Sequence, residues 1–156
     1  MTIVITGPDD GEILALGPAT IRVLEDGSHT DGRLGLLEAT VLPRMDGPPQ
    51  HVHREHDETF YVLSGAIAFT TGTDTVLARP GTLVTAPPGT PHTFGNPTDE
   101  PATMLCTITP RHYIDYFREF AALHRDRGGI DPRDVAELMS RYATEIVHPG
   151  LDDQPR

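Results

Sequence analysis

Between residue 2 and about residue 109 the chain is cut into short β-prone runs by glycine- and proline-centred turns, and this punctuation limits its fold more than any other feature. The runs are Thr2–Thr6, Glu12–Leu16, Thr20–Leu24, Leu34–Leu42, Glu58–Leu63, Ala66–Thr70, Asp74–Ala78, Thr82–Ala86 and Ala102–Thr109. Between them stand Gly7-Pro8-Asp9-Asp10-Gly11, Asp46-Gly47-Pro48-Pro49, Arg79-Pro80-Gly81 and Pro87-Pro88-Gly89, each rich in residues that preset turn dihedrals. A chain broken this often cannot build long helices there, and strands of this length and spacing predict an all-β sandwich or barrel. Most of the 15 Gly and 15 Pro among 156 residues lie in this region.

After Pro110 the period changes. Ile114, Phe117, Phe120, Ala121 and His124 recur at helical spacing up to Gly128-Gly129, which predicts an amphipathic helix closed by glycine. Asp131-Pro132 then reads as an N-cap with proline at the first helical position, and Val135, Leu138, Met139 and Tyr142 form the stripe of a second helix. The expected organisation is a barrel over residues 1–110, a helical extension packed on it over 111–150, and a frayed tail at 151–156. Such a length suits one domain with a proper core.

Charge and residue inventory remove several function classes. The formal charge is −11 and all 12 basic residues are arginine, so a lysine Schiff base or lysine general base is excluded. An acidic surface without an arginine cluster repels phosphate backbones, which argues against nucleic acid as a partner. The single cysteine, Cys106, excludes an intrachain disulfide framework and every CxxC motif, and its apolar run marks it as a small buried hydrophobe. No Gly-x-Ser-x-Gly elbow is present, which speaks against a covalent hydrolase. No stretch is long and apolar enough to span a bilayer and the N-terminus lacks signal-peptide features, so no membrane partner and a cytoplasmic location are expected.

Four residues carry the chemistry. In His51-Val52-His53 the imidazoles are two residues apart, which on a strand places both on one face within reach of one ion. Glu58 can reach the same point if a turn at Arg54–Asp57 folds the chain back as a hairpin. His92 follows the turn Pro87–Pro91 and opens another strand. Three imidazoles and a carboxylate form a mixed N/O set suited to one divalent Fe, Mn, Co, Ni or Zn ion, with two positions open in an octahedral shell.

These residues fall in a pattern that resembles the cupins. The first cupin motif is matched as His51-x-His53, four residues, Glu58, six residues, Gly65. The second is matched as Gly81, five residues, Pro87-x-Gly89, two residues, His92, three residues, Asn96. One position departs: Met45 stands where a glycine is usual, with Gly47 nearby. The resemblance implies a double-stranded β-helix, or jelly-roll, barrel followed here by two α-helices, with a metal held by His51, His53, Glu58 and His92. Gly65, Gly81 and Gly89 are then turn glycines, and Pro87 and Asn96 shape the turn around His92. By strand parity Phe60, Val62 and Phe94 point into the barrel beside the metal as an apolar pocket, or serve as plain core packing. His56 reads as a turn residue or a partner of a ligand, with an alternative ligand as a third reading. His29, His112, His124 and His148 read as solvated or hydrogen-bonded.

The stretch Pro48–Gly65 and the tail from Tyr113 to His148 are similar to small cupins grouped with quercetin 2,3-dioxygenase. That likeness implies a metal-dependent oxidoreductase, a dioxygenase of enolic or phenolic, flavonol-like small molecules, with Glu58 as both ligand and catalytic base. A fold does not fix a function. A non-redox cyclase, isomerase or decarboxylase of a secondary-metabolite pathway is the alternative, and a non-catalytic binding protein a third. A homodimer is expected, with Thr2–Thr6 as the strand that pairs across subunits.

Overall fold

The computed structural model describes residues 2–148. Its strands are β1 (Glu12–Leu16), β2 (Ala19–Glu25), β3 (Gly35–Val41), β4 (His51–His53), β5 (Asp57–Ser64), β6 (Ile67–Thr71), β7 (Asp74–Ala78), β8 (Leu83–Ala86), β9 (Thr93–Gly95) and β10 (Ala102–Thr109). Two helices, α1 (Tyr113–Arg127) and α2 (Pro132–Arg141), and a last strand, β11 (Thr144–Ile146), complete it. Six strands form one sheet in the order β1-β2-β3-β10-β5-β8, three form a second as β7-β6-β9, and β11 pairs with β4. The two larger sheets meet through Phe60 of β5, whose ring lies 5.2 Å from Phe69 of β6 and 5.7 Å from Phe94 of β9.

Alternation sets which side chains enter the barrel. On β10 Ala102, Met104, Cys106 and Ile108 are buried while their neighbours are not, and on β3 the buried set is Gly35, Leu37, Ala39 and Val41. Antiparallel pairing brings Cys106 opposite Phe60 and Ile108 opposite Glu58. A slip of one residue would turn Glu58 outward and Thr59 inward, so the hydrophobic pattern of β5 and β10 also positions the carboxylate.

The helices form as their punctuation predicts. α1 ends at Gly128, whose φ of 68° is the left-handed cap that glycine adopts at least cost. In α2, Asp131 caps the helix by accepting the Arg133 backbone N–H at 2.8 Å, with Pro132 at the start of the helix. Tyr113, Ile114 and Ala121 of α1 and Leu138 and Met139 of α2 join the barrel core, so residues 113–141 share its apolar interior.

Three expectations about elements change. Thr2–Thr6 pairs with no strand among the described residues of this chain, and Ile3 and Ile5 stand 88% and 85% exposed. β-propensity without a neighbouring strand does not make one. The turn after His53 exists, but β4 and β5 do not pair as a hairpin; β4 bonds instead to β11 on one side and to His92 on the other. β11 itself was not expected, because three residues are too few to show a period. Residues 149–156, including the expected frayed tail, lie outside the described residues.

Candidate metal centre

His51 and His53 leave β4 on the same face, Glu58 is the second residue of β5, and His92 precedes β9. His51 and His92 exchange backbone hydrogen bonds, His51 N–H to His92 O at 3.0 Å and His92 N–H to His51 O at 2.9 Å, which fixes the two imidazoles side by side. One ligand atom from each of the four residues lies within 4.8 Å of every other, and all four side chains are buried. The four sequence-predicted ligands therefore converge.

The outer face of each imidazole is already committed. His51 Nδ1–H donates to the Pro49 carbonyl at 2.7 Å and His92 Nδ1–H to the Thr90 carbonyl at 2.9 Å. A carbonyl can only accept, so both rings keep Nε2 for the interior. His53 Nδ1 lies 2.8 Å from Thr144 Oγ1. Inside, His51 Nε2 and His53 Nε2 are 3.2 Å apart, and Glu58 Oε2 lies 2.9 Å from His53 Nε2 and 3.2 Å from His92 Nε2. Where those Nε2 atoms carry lone pairs, they and the carboxylate oxygen repel each other unless a proton or a metal cation stands between them. That donor set fits a divalent metal with imidazole and carboxylate ligands, held by outer partners that fix each ring.

The electrostatics agree with a cation-seeking cluster. Burial alone would push the Glu58 carboxyl up, but hydrogen bonds from His53 and His92 and their field outweigh it and hold the group well below the usual carboxylate range. Burial and the neighbouring imidazoles push His51 down to about 4. His92 is raised: burial pulls it down, and the hydrogen bond and charge of Glu58 more than reverse that.

Three neighbours show more than their sequence reading holds. Cys106 is buried as expected, yet it is also polar in role: its S–H donates to Glu58 Oε1 at 3.3 Å, leaving Oε2 for the cluster. Only the register of β10 against β5 reveals this. His56 is 1% exposed, its ring centroid 4.1 Å from that of His53 and 4.7 Å from that of Tyr113, and neither ring nitrogen has a partner among the described residues. Of its sequence readings, burial beside a candidate ligand favours that of a ligand's neighbour over that of an exposed turn residue. His112 Nε2 is likewise buried without a partner, against its reading as hydrogen-bonded or solvated.

The cluster opens into a cavity of about 310 Å³. His51, His53 and Glu58 stand at its polar end, and Phe60, Phe94 and Met104 line it from the barrel. Tyr116, Phe117 and Phe120 of α1 and Val135 and Met139 of α2 line it as well. Val62 does not line it: two residues beyond Phe60 on β5, it is fully buried opposite Met104 and belongs to the core. Among the described residues no arginine lines the cavity. Burial pushes the Tyr116 phenol up to about 12, so that side chain stays neutral.

With the fold and site in view, residues 37–108 match the family model described as Cupin domain. The chain is 28% identical over 110 residues to quercetin 2,3-dioxygenase of Bacillus subtilis (strain 168), a match that takes in 70% of this chain and 32% of the dioxygenase, so it spans about a third of that protein's length. Among solved structures, a sugar phosphate isomerase of the cupin superfamily from Silicibacter pomeroyi superposes with a TM-score of 0.54 at 28% identity, covering 59% of each chain. KdgF from Halomonas sp. gives a TM-score of 0.62 at 20% identity, over 72% of this chain and 99% of the other. Pac13, a nucleoside dehydratase, gives 0.56 at 20% identity, over 70% and 83%. At such identities the last two speak to the fold alone. No described helix is long and apolar enough to cross a membrane.

Proposed function

We propose that this chain, which has the cupin fold, is a metal-dependent oxidoreductase, a dioxygenase of a neutral enolic or phenolic small molecule. The observation that carries the reading is the pairing of a buried three-histidine, one-glutamate cluster with an aromatic cavity that offers no cationic side chain. A volume of about 310 Å³ sits at the small end of ligand pockets, which suits a compact ring system. A phosphate or carboxylate would find no arginine in those walls and would meet Glu58 and Asp46 instead. That weighs against the sugar-phosphate chemistry of the Silicibacter relative and favours an aromatic substrate like that of the Bacillus one.

His51, His53, Glu58 and His92 would hold the ion, which when bound supplies Lewis acidity towards an enol or phenol oxygen and, if redox-active, access to dioxygen. The chain's own residues do the rest. Glu58 stands ionised, with Oε1 anchored by Cys106 and Oε2 directed into the cluster, so it can accept the proton of a hydroxyl placed there. Phe60, Phe94 and Phe117 present apolar surface to the ligand's ring system.

The test is elemental analysis of protein purified without chelator or affinity metal, followed by oxygen-electrode assays on Fe-, Mn-, Co- and Ni-loaded samples with a flavonol panel. Oxygen uptake in step with loss of the flavonol absorbance is expected, and His92→Ala should abolish both metal and uptake. Metal-loaded protein that consumes no oxygen with any redox-active ion overturns the dioxygenase reading. Stoichiometric zinc as purified would move the assignment to non-redox Lewis-acid chemistry at the same site.

A further inference from the structure

We infer that Thr144 is a positioning residue of the metal centre, which makes the C-terminal strand β11 part of the site. The inference rests on the metal reading of the four-residue cluster, and its test separates the two.

Of the three imidazoles, His51 and His92 are oriented by backbone carbonyls of their own loops, which no side-chain change can remove. His53 alone depends on a side chain, and that side chain comes from 91 residues away. Antiparallel pairing puts Thr144 directly opposite His53. Thr144 is 1% exposed, so no solvent stands in for it. Its hydroxyl donates to the Tyr142 carbonyl at 3.1 Å. With that proton spent, the oxygen presents a lone pair to His53, and the proton of the imidazole is drawn to Nδ1. Nε2 is thereby left with its lone pair on the metal side.

The alternative state of His53 explains why this matters. Glu58 Oε2 lies 2.9 Å from His53 Nε2, a good distance for an Nε2–H to donate to the carboxylate. A neutral His53 with its proton on Nε2 would satisfy itself that way and block two of the four ligand atoms at once. Thr144 sets the choice by offering a buried acceptor on the other side of the ring. Valine at 144 has nearly the same shape and suits a strand, but it accepts nothing. The proton then gains by moving to Nε2 and the Glu58 hydrogen bond, and an incoming ion must displace it.

The experiment compares wild type, Thr144→Val, Thr144→Ser and Thr144→Ala by two readouts. Long-range 1H–15N spectra of metal-free protein report which His53 nitrogen is protonated, and competition with a chromogenic chelator reports the Co2+ and Zn2+ affinity. Expected are a protonated Nδ1 in wild type and Thr144→Ser, a bare Nδ1 in Thr144→Val, and a 10- to 100-fold loss of affinity in Thr144→Val that serine restores. Thr144→Ala serves the same purpose should valine prevent folding. A protonated Nδ1 in Thr144→Val, with affinity within twofold of wild type, overturns the inference. If wild type binds neither ion, the metal reading fails, and the nitrogen spectra still decide what Thr144 does to His53.

Discussion

Glu58 shows how one side chain is divided between structure and chemistry. Its Oε2 faces the histidines and its Oε1 accepts from Cys106, so the thiol decides which oxygen is presented. Burial and the Glu58 charge push the Cys106 thiol well up, which keeps it a neutral donor and not a thiolate ligand. Cys106→Ala should therefore free the carboxylate to rotate and weaken metal binding about tenfold, the low end for an outer partner because S–H is a weak donor. Cys106→Ser keeps a donor at that position and should bind within about threefold of wild type. Isothermal titration with Mn2+ or Co2+ measures both, and equal affinities for serine and alanine would remove Cys106 from the site. His51 and His53 are legible from strand parity alone, and Glu58 and His92 join them through the spacing of the two motifs that resemble those of cupins. Cys106 and Thr144 are not, because what they touch lies 48 and 91 residues away and depends on pairing registers that no local pattern records.

At the level of elements, the segment between β3 and β4 holds the site's shape through a close backbone approach. A Cβ at Gly47 would stand 1.6 Å from the Phe94 carbonyl oxygen, a main-chain atom that cannot swing aside. The same segment bridges Met45 to Asn96, and its Pro49 carbonyl receives the His51 Nδ1–H. Gly47→Ala should force this loop off β9, cost about 3 kcal/mol or more of stability as an overpacking change, and loosen His51 along with the cavity wall. Urea unfolding checks the first effect and chelator competition the second; a stable variant with unaltered metal affinity would mean that the loop has room to yield. The sequence predicts a turn here, with Met45 where cupins usually have glycine. The structure assigns the need for a glycine to Gly47, two residues later. Elements with long periodic patterns, such as β10 and α1, were readable in advance. Thr2–Thr6, β11 and the partner of β4 were not, since each turns on whether another segment is available to pair.

For the molecule as a whole, burying an imidazole cluster ties stability to pH in a way that binding a metal should change. In the metal-free protein burial pushes His51 to about 4 and His56 to about 3, with neighbouring imidazoles adding to both. Below the ordinary histidine value of 6.5 the unfolded chain takes up protons that these two sites refuse. Stability should then fall with pH by about 1.4 kcal/mol per unit for each group, down to their native values. Glu58, held low, adds a further loss only below the ordinary carboxyl value of 4.5. His92 acts with the opposite sign: its raised value favours the folded state below 6.5, and that contribution disappears as pH rises through its native value. The metal-free protein should thus be most stable near pH 6.5 and weaken on both sides. A bound divalent ion takes the place of the His92 proton, so the alkaline limb should flatten in the metal-loaded protein, while the acid limb steepens as protons compete for the ligands. Urea unfolding from pH 4.5 to 9, in chelator and with saturating Zn2+, measures both profiles. Coincident curves would mean that the ion, if bound at all, does not sit among these imidazoles.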